Sequence, residues 1–441
     1  MKKLKTFQGE SMLAGESFRT EISRVWGSEL LNCSGQHPWI TYFWTPPRPA
    51  VAQLRWLSSH PHCSLKPHLL DPSTTRNWPA SYLADAANMA YPVVVFLHGE
   101  SFEWGSSSLY DGSVLAALGK VIVVTLNYRL GILGFYNANT DPLSRPTVAN
   151  YGLMDQLAAL HWVQENIVRF GGDPGQVTVM GHGTGAACLN YLVISPAATA
   201  GLFKRAILMS GSALSPWASV RDPSGHAFDV ATQLDCPVQL KTSRFQVAVG
   251  PSIDGVTIKP DWKIHQSKMG KEGRTPVDLL LGMKAANLLD ILSQQEVQEG
   301  FDVDYRKELL RSFVVHNYRY HLQEIMLAIT AEYTDWSRSL HQPISIRDST
   351  GQGLHDVNIV SPMVDLAKQL YTTSRSSYLF VLEEKVSNSG NESILLNELV
   401  YVFGCPLGAL GPLASSYNFT NMDVTLSKSF ISMWSNFIKL G

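Results

Sequence analysis

VTVMGHGTGAACLNYL, residues 177–192, is the stretch of sequence that decides the fold. It starts with the β-branched run of a strand, passes through three glycines in the five residues 181–185, and continues as an apolar segment of helical length. A strand, a sharp turn and a helix in this order form a mount on which some enzymes carry a nucleophilic side chain. The residue at the centre of this turn is Gly183, so the mount is predicted without its nucleophile.

Apolar strands and amphipathic helices alternate on both sides of this stretch. The runs at 91–99 and 120–135 are rich in valine, isoleucine and leucine, which is typical of strands buried on both faces of a sheet. One apolar helical face is predicted within residues 150–170, formed by Leu153, Leu157, Leu160, Val163 and Ile167. Further strands are predicted at 203–212, 277–282 and 377–384. The pattern predicts an α/β fold with a large mixed, mostly parallel sheet flanked by helices.

Prolines interrupt residues 1–90 too often for long helices or strands, so this part is predicted to be a loop-rich section of the same domain as residues 91–441. Within it, the peptide SHPHCSLKPH brings four metal-ligating residues together: His60, His62, Cys63 and His68. Their spacing matches no standard zinc pattern. Ordinary loop residues are therefore the preferred interpretation over a metal site.

The composition favours a large buried core and gives no reason to expect nucleic acid as a partner. Charged residues make up 16% of the chain, below the roughly 25% of an average soluble protein. The net charge is −2, so no overall attraction to nucleic acid follows. We expect neither a secretory leader nor a membrane-spanning helix within these 441 residues. The five cysteines are odd in number, which excludes a fully paired disulfide framework within the chain.

Several longer segments carry a specific resemblance. NYRLGILGF, VTVMGHGTGAA and LFKRAILMSGSALSPWA resemble the cholinesterase and carboxylesterase family, which has the α/β-hydrolase fold. Within that family, three later segments are similar to the neuroligin branch, in particular its invertebrate type: EYTDW (332–336), LVYVFGCPLG (399–408) and SKSFISMWSNFIKLG (427–441). The resemblance covers residues 91–441 and implies a cholinesterase-like α/β-hydrolase domain truncated at both ends.

The resemblance also locates the family's catalytic positions in this sequence. A serine hydrolase needs a nucleophile, an acid, a histidine and donors for the oxyanion. The resemblance puts Gly183 at the serine position, Asn287 at the acid position and Leu395 at the histidine position. Glu100 and Ser101 stand where the family has oxyanion glycines, and a carboxylate there would oppose a developing negative charge. The chain is therefore predicted not to be an enzyme.

The distribution of histidines along the chain supports the same prediction. The triad of α/β-hydrolases runs nucleophile, acid, histidine along the chain, whereas residues 356–441 contain no histidine at all. A carboxylesterase-type hydrolase with a relocated nucleophile remains the alternative, with His182, Cys188, Ser210 and His355 as candidate groups. Cys188 is expected to be a core residue of the helix that follows the turn.

A function in recognition is what the resemblance implies once catalysis is removed. Neuroligins are adhesion proteins, so the implied partner is a neurexin-type cell-surface protein in trans-synaptic adhesion, with calcium at the interface and no cofactor held by the chain. The family's contact segment precedes strand 277–282, where Asp278 is retained and Thr275 and Pro276 replace a leucine and an asparagine. A plain strand-start residue is the other interpretation of Asp278.

Localisation at the cell surface or synaptic membrane follows from the same resemblance. On that route the N-x-S/T sequons would be glycosylated, at Asn32, Asn391 and Asn418. The resemblance allows a Cys33–Cys63 disulfide, and Cys236 matches a family half-cystine whose partner segment is not found. The family's dimer uses a helix near 352–371 and another beyond residue 441, so that homodimer is not expected. A degenerate copy without a partner is the remaining alternative.

Overall fold

A computed structural model of the protein describes residues 90–99, 101–137, 139, 146–195, 201–223, 244–245, 247, 249–271, 277–284, 292–334, 336, 342–370, 376–382, 397–408 and 419–441, and two short strands before them. The chain divides into two compact units, Met1–Trp39 with Ser58–Leu70, and Ile40–Leu57 with Asp71–Gly441. The first unit lies outside the described residues. The boundary at residues 90 and 91 stays a prediction.

The second unit is built on a six-stranded parallel sheet. Its strands are β3 (Tyr91–Leu97), β4 (Ile122–Leu126), β5 (Gly172–His182), β6 (Arg205–Met209), β7 (Asp278–Lys284) and β8 (Ser377–Leu382), in the order β4-β3-β5-β6-β7-β8. Two short strands, β1 (Thr41–Phe43) and β2 (Gln53–Arg55), form a separate antiparallel pair. The predicted α/β-hydrolase fold is confirmed, and every described strand pair within the large sheet is parallel.

Helices cover both faces of the sheet, as crossovers between parallel strands require. In chain order they are α1 (Ser113–Gly119), α2 (Gly131–Phe135), α3 (Tyr151–Asn166), α4 (Thr184–Ile194), α5 (Trp262–Lys271), α6 (Gln294–Glu299), α7 (Val303–Asn317), α8 (Leu322–Glu332), α9 (Pro343–His355), α10 (Ser361–Leu370), α11 (Asn397–Phe403) and α12 (Asn421–Leu440). A π-helical turn, Asp356–Val360, joins α9 to α10. None of the described helices is long and apolar enough to cross a membrane.

Two apolar cores lie on opposite faces of the sheet, as the unbroken valine runs predict. Val93 and Val95 of β3 belong to the core formed with α3, α4, α5 and α10. Val94 and Phe96 belong to the core formed with α1, α11 and α12. Successive side chains of a strand point to opposite faces, so burial on both faces requires a continuous apolar run. Helices α6 to α9 enclose a third, smaller apolar cluster around Phe313.

One predicted strand was too long. The apolar run at 120–135 is a strand only as far as Leu126, and residues 131–135 form helix α2 instead. Between them, the side chain of Arg129 makes two hydrogen bonds to the carboxylate of Asp155 on α3, at 2.8 and 2.9 Å. Short apolar runs do not distinguish a buried helix from a strand by periodicity. The contact between Arg129 and Asp155 fixes the chain between β4 and α2, where the local sequence fits both a strand and a helix.

Arg205, at the start of β6, ties helix α12 to the sheet. The guanidinium donates to the carbonyl oxygens of Ile438 and Lys439, at 2.9 and 3.2 Å, and so satisfies acceptors that the end of a helix leaves unpaired. Its Nε lies 3.8 Å from Oδ2 of Asp278, the first residue of β7. Arg205 is 2% exposed, so this charge is held by its partners rather than by water.

Replacing this buried cation tests how much it stabilises the fold. We expect Arg205→Met to lower the free energy of unfolding by about 3 kcal/mol, because the carboxylate of Asp278 and two helix-terminal carbonyls lose their partner. Urea unfolding followed by circular dichroism measures the change. Arg169→Met, at an exposed position, is the matched control and should change stability by less than about 0.5 kcal/mol. Equal effects of the two substitutions would contradict the anchoring role of Arg205.

Candidate functional site

The strand order indicates that a site would lie at the carboxyl ends of the strands. From β3 the chain crosses outward to β4 and then returns to β5 on the other side of β3. Ligands of open parallel sheets bind where strand order reverses in this way, at the carboxyl ends of the strands. The carboxyl ends of β3 and β5 carry His98 and His182–Gly183. The glycine-rich turn therefore lies at the topological switch point.

The turn has the strained backbone of a nucleophile mount. Gly183 has φ 52° and ψ −118°, a conformation that a residue with a side chain adopts only at a cost. Its N–H donates to the carbonyl of Met209 at 2.9 Å, and its carbonyl accepts from Ala187 at 3.1 Å. A β-carbon added at Gly183 would meet no atom within 4 Å. The predicted nucleophile position is therefore sterically open but carries no side chain.

Gly185, two residues further on, is required for a different reason. A β-carbon added there would lie 2.2 Å from the carbonyl oxygen of Leu97, at the end of β3. The first turn of α4 therefore packs directly on the backbone of the neighbouring strand. This glycine maintains packing between helix and strand, whereas Gly183 supplies only an unusual backbone angle.

Strained non-glycine residues lie at the same edge. Ser101 and Phe102, which follow β3, have φ values of 53° and 61°, and Ser210, which follows β6, has φ 53°. Positive φ at residues with side chains is uncommon and concentrates at functional sites. Ser101, predicted at an oxyanion position, is exposed, whereas Phe102 is buried against Phe135 with ring centroids 5.5 Å apart. Backbone strain thus persists around a turn that has no nucleophile.

Three polar side chains meet beneath the turn. His182 Nε2 lies 3.1 Å from Oε1 of Glu398, at the start of α11. The hydroxyl of Ser210 donates to the same carboxylate oxygen. The side chains of His182 and Glu398 are 11% and 3% exposed. The cluster therefore joins the turn, the end of β6 and helix α11 through one buried carboxylate.

Glu398 is held ionised by these contacts. Burial alone would raise its pKa, but the electrostatic interaction with His182 and the hydrogen bonds from His182 and Ser210 outweigh burial and lower the pKa to about 2. A carboxylate with so low a pKa is a weak proton acceptor. Its role in this cluster is to accept the hydrogen bonds from His182 and Ser210.

The cluster contains the residue types of a catalytic triad but in an unproductive order. A triad needs the serine hydroxyl to donate to the imidazole, which the acid then orients from its other nitrogen. Here the carboxylate stands in the middle, so the Ser210 hydroxyl points to Glu398 and not to His182. Two of the four candidates for a relocated site, His182 and Ser210, therefore share the carboxylate of Glu398 instead of forming the serine-to-imidazole hydrogen bond of a triad.

The other two candidates, Cys188 and His355, are buried. Burial raises the pKa of the Cys188 thiol to about 12, and its side chain is fully buried, as expected for a core residue. His355 donates from Nε2 to the carbonyl of Lys284 at 2.8 Å, and burial lowers its pKa. His98 is 1% exposed with a pKa lowered by burial to about 4, and its ring stacks on Tyr128. Of these three groups, none combines nucleophilicity or basicity with access to solvent.

Asp278 lies at the opposite end of the strands. It is in register with Arg205, which is in register with Thr178, four residues before His182. That spacing corresponds to about 13 Å along the strand direction. Asp278 is 9% exposed and faces Arg205. Partner binding by Asp278 remains a prediction, and the observed contact agrees with the alternative of a strand-start residue.

Several predicted residues lie outside the described part of the chain. They are Glu100, Thr275, Pro276, Asn287 and Leu395, the sequons Asn32, Asn391 and Asn418, the cysteines Cys33, Cys63 and Cys236, and the histidines His60, His62 and His68. Among the residues that are described, no group of three or more His, Cys, Asp or Glu side chains is arranged to hold a metal ion. The described cysteines Cys188 and Cys405 are free thiols.

Glu398 and His98 were missed by the sequence interpretation. Glu398 lies 216 positions from its partner His182, so no local pattern connects them. A carboxylate just before the buried run LVYVFG was the only available signal, since burial of an acid requires a partner. His98 directly follows a buried strand at the edge where sites form, which was a usable but weaker signal.

The turn and the strand order agree with the family that comparison with known proteins identifies. The model of the family described as "Carboxylesterase family" matches residues 76–246 and 238–441. The chain belongs to the carboxylesterase family. The predicted resemblance to the cholinesterase and carboxylesterase family is confirmed. The match begins at residue 76, whereas the predicted resemblance begins at residue 91.

The relatives of this carboxylesterase-family chain include several neuroligins, as predicted. It is 31% identical to Neuroligin-1 of Caenorhabditis elegans over 396 residues, which cover 79% of the chain and 49% of the relative. It is 34% identical to Neuroligin-3 of Mus musculus over 385 residues, 80% of the chain and 45% of the relative. It is 32% identical to Neuroligin-2 of Mus musculus over 397 residues, 83% of the chain and 46% of the relative. The chain spans about half the length of these relatives.

The two glycines of the carboxylesterase-type turn should respond differently to the same substitution. We expect Gly183→Ala to cost about 1–2 kcal/mol, because only backbone strain opposes it. Gly185→Ala should cost more, because its β-carbon would overlap the carbonyl oxygen of Leu97 and separate α4 from β3. Urea midpoints of the two variants measure the difference. The reverse ranking would contradict the assignment of Gly185 as the packing residue.

Because of Glu398, the free energy of unfolding of this family member should fall as the pH is lowered. Its folded-state pKa, about 2, lies below its ordinary value of 4.5, so between these values the unfolded chain binds more protons. The stabilisation, about 3 kcal/mol, is therefore fully present above pH 4.5 and lost as the pH falls toward 2. Urea unfolding at pH 6 and pH 3 measures it. Glu398→Gln should remove much of this pH dependence.

Glu165→Gln, at an exposed position on α3, is the matched control and should leave the pH dependence unchanged. If Glu398→Gln and Glu165→Gln retain the same loss of stability between pH 6 and pH 3, Glu398 is not the group responsible.

Proposed function

We propose that this chain is a non-catalytic, cholinesterase-like adhesion domain that binds a neurexin-type cell-surface protein. The observation that carries the proposal is the nucleophile mount whose backbone geometry is intact while its central residue is Gly183. A serine hydrolase cannot form its acyl-enzyme without a side chain at this point or a substitute for it.

The arrangement of the remaining polar groups supports the loss of catalysis. Ser210 and His182 both hydrogen bond to Glu398, so neither is free to activate the other. The substitutions predicted at Glu100, Asn287 and Leu395 belong to the same proposal, since each would remove an oxyanion donor, the acid or the base. What the fold then provides is a rigid surface on which a partner can dock.

The identity of the relatives supports the proposed class of partner. The relatives named above are all neuroligins. A trans-synaptic role, a place at the cell surface and calcium at the interface are parts of this proposal. The contact surface would include the segment that enters β7. Since Asp278 is 9% exposed and faces Arg205, we assign it the role of fixing the start of β7, the strand that this segment enters.

A carboxylesterase-type hydrolase is the second candidate function, and one observation favours it. A serine, a histidine and a buried carboxylate do meet at the carboxyl edge of the sheet, where family members carry out catalysis. The order of their hydrogen bonds opposes this candidate. Catalysis would require Ser210 to leave Glu398 and donate to an imidazole instead.

Binding and turnover distinguish the two candidates. We expect the purified 441-residue chain to bind an immobilised neurexin-type ectodomain in the presence of calcium, and less tightly after calcium is removed with a chelator. The unaltered chain should hydrolyse an activated acetyl ester no faster than the Ser210→Ala variant does at the same protein concentration. Surface plasmon resonance and absorbance of the released phenol are the measurements.

Asp278→Asn should weaken binding, with Asp365→Asn, an exposed carboxylate on α10, as the matched control. Both variants must retain the circular dichroism spectrum of the unaltered chain. Absence of binding would reject the adhesion proposal, and ester turnover that Ser210→Ala abolishes would establish the hydrolase instead.

A further inference from the structure

Residues 101–106 pass directly over a buried histidine, and we call these residues the strap. They follow β3 and lead into a 3-10 turn, Ser107–Leu109. A β-carbon added at Gly105 would lie 2.7 Å from Nδ1 of His98, so the backbone of the strap rests on the imidazole ring. The ring also stacks on Tyr128, with centroids 4.7 Å apart. The strap is therefore part of what keeps His98, which is 1% exposed, away from solvent.

His98 fits under the strap only as a neutral imidazole. Within the described part of the chain, neither of its ring nitrogens has a hydrogen-bond partner. A buried polar group without a partner costs free energy, and a buried charge without a partner costs far more. Uptake of a proton by His98 would therefore place an uncompensated charge beneath the strap.

The elements around His98 carry several titratable or charged residues. They are Tyr128 and Arg129 after β4, Glu103 on the strap, and His182 at the end of β5. Arg129 and His182 are paired with Asp155 and Glu398, respectively, and Glu103 is exposed. Burial, rather than one of these groups, lowers the pKa of His98 to about 4.

The backbone of the strap is held in an unfavourable conformation. Ser101 and Phe102 have φ values of 53° and 61°, and Gly105 has φ 131°. Positive φ values at residues with side chains cost free energy and persist only where the surrounding contacts impose them. Release of the strap would relieve this cost.

The strap is held by contacts that can separate without disturbing the sheet. The N–H of Gly131 donates to the carbonyl of Phe102 at 2.8 Å, and the Phe102 ring packs on Phe135. The turn that follows the strap is fixed separately, because the N–H of Ser107 donates to Oδ1 of Asn127 at 2.8 Å. The strap therefore runs between two fixed points, the end of β3 and this turn.

We propose that the strap is a pH-sensitive closure, which stays shut over neutral His98 and opens when the imidazole takes up a proton. Opening hydrates the imidazolium and separates Phe102 from Phe135. This device does not depend on the proposed function, because it uses neither the turn at Gly183 nor the segment that enters β7.

The direction of the pH effect follows from the protonation of His98 in the two forms of the strap. Its pKa is about 4 under the closed strap and returns to the ordinary value of 6.5 once the ring is hydrated, so between these values the open form binds more protons. The closed form therefore has its full stability above pH 6.5 and loses it as the pH falls toward 4. From pH 7.5 to pH 5, the equilibrium constant for opening should rise roughly 25-fold.

Hydrogen–deuterium exchange of the complete 441-residue chain, followed by mass spectrometry, tests the proposal. After correction for the intrinsic effect of pH on exchange, the amides of the strap should lose roughly 25-fold of their protection between pH 7.5 and pH 5. The amides of β3 in the same sample are the internal reference and should lose less. His98→Phe keeps an aromatic ring beside Tyr128 but takes up no proton, so protection of its strap should be the same at both pH values.

His98→Asn is a second uncharged variant and should behave as His98→Phe does. His161→Phe, at an exposed position on α3, is the matched control and should keep the pH dependence of the unaltered chain. Glu100→Gln, which changes the carboxylate just before the strap in the sequence, should keep it too.

Three results would overturn the proposal. The first is equal protection of the strap at pH 7.5 and pH 5 in the unaltered chain. The second is a loss of protection that persists in the folded variants of His98. The third is disappearance of the pH dependence in Glu100→Gln, because the responding group would then be that carboxylate.

Discussion

The close approach of helix α4 to the end of β3 is the constraint on which the rest of the site depends. The carbonyl oxygen of Leu97 occupies the space that a side chain on Gly185 would need, so this helix can pack only through a glycine. The packing sets the turn before the helix, and the turn in turn requires the backbone angles of Gly183. The close packing at Gly185 therefore gives a reason for the shape of this turn that does not depend on a nucleophile.

The polar cluster of His182, Ser210 and Glu398 also has a structural explanation. A glutamate whose side chain is 3% exposed needs partners, and Glu398 has them in His182 and Ser210. These contacts hold α11 against the central strands. The imidazole at the start of the turn is thus committed to stability. Recognition, as proposed, belongs to the opposite end of the strands near Asp278, about 13 Å from His182 along the strand direction.

Sequence reasoning predicted those elements whose causes are local. The valine run at 93–95, the apolar face of α3 and the glycines of the turn each act within a few residues, and each is where it was predicted. The strand predicted over 131–135 was wrong because its apolar residues fit two structures equally well, and the contact between Arg129 and Asp155 decided between them. The candidate site was predicted only in part. The position of Gly183 follows from its motif, whereas the contact between His182 and Glu398 joins residues 216 positions apart and depends on the complete fold.

The most direct test of the central claim is to restore the missing hydroxyl. Intact-mass spectrometry of Gly183→Ser after exposure to a serine-directed phosphonate asks whether the mount alone suffices for reactivity. Because His182 is bound to Glu398 and His355 to the carbonyl of Lys284, we expect a folded protein without an adduct beyond that of the unaltered chain. Stoichiometric modification of the new hydroxyl would mean that a general base still serves the turn, and would contradict the proposal that this turn no longer takes part in catalysis.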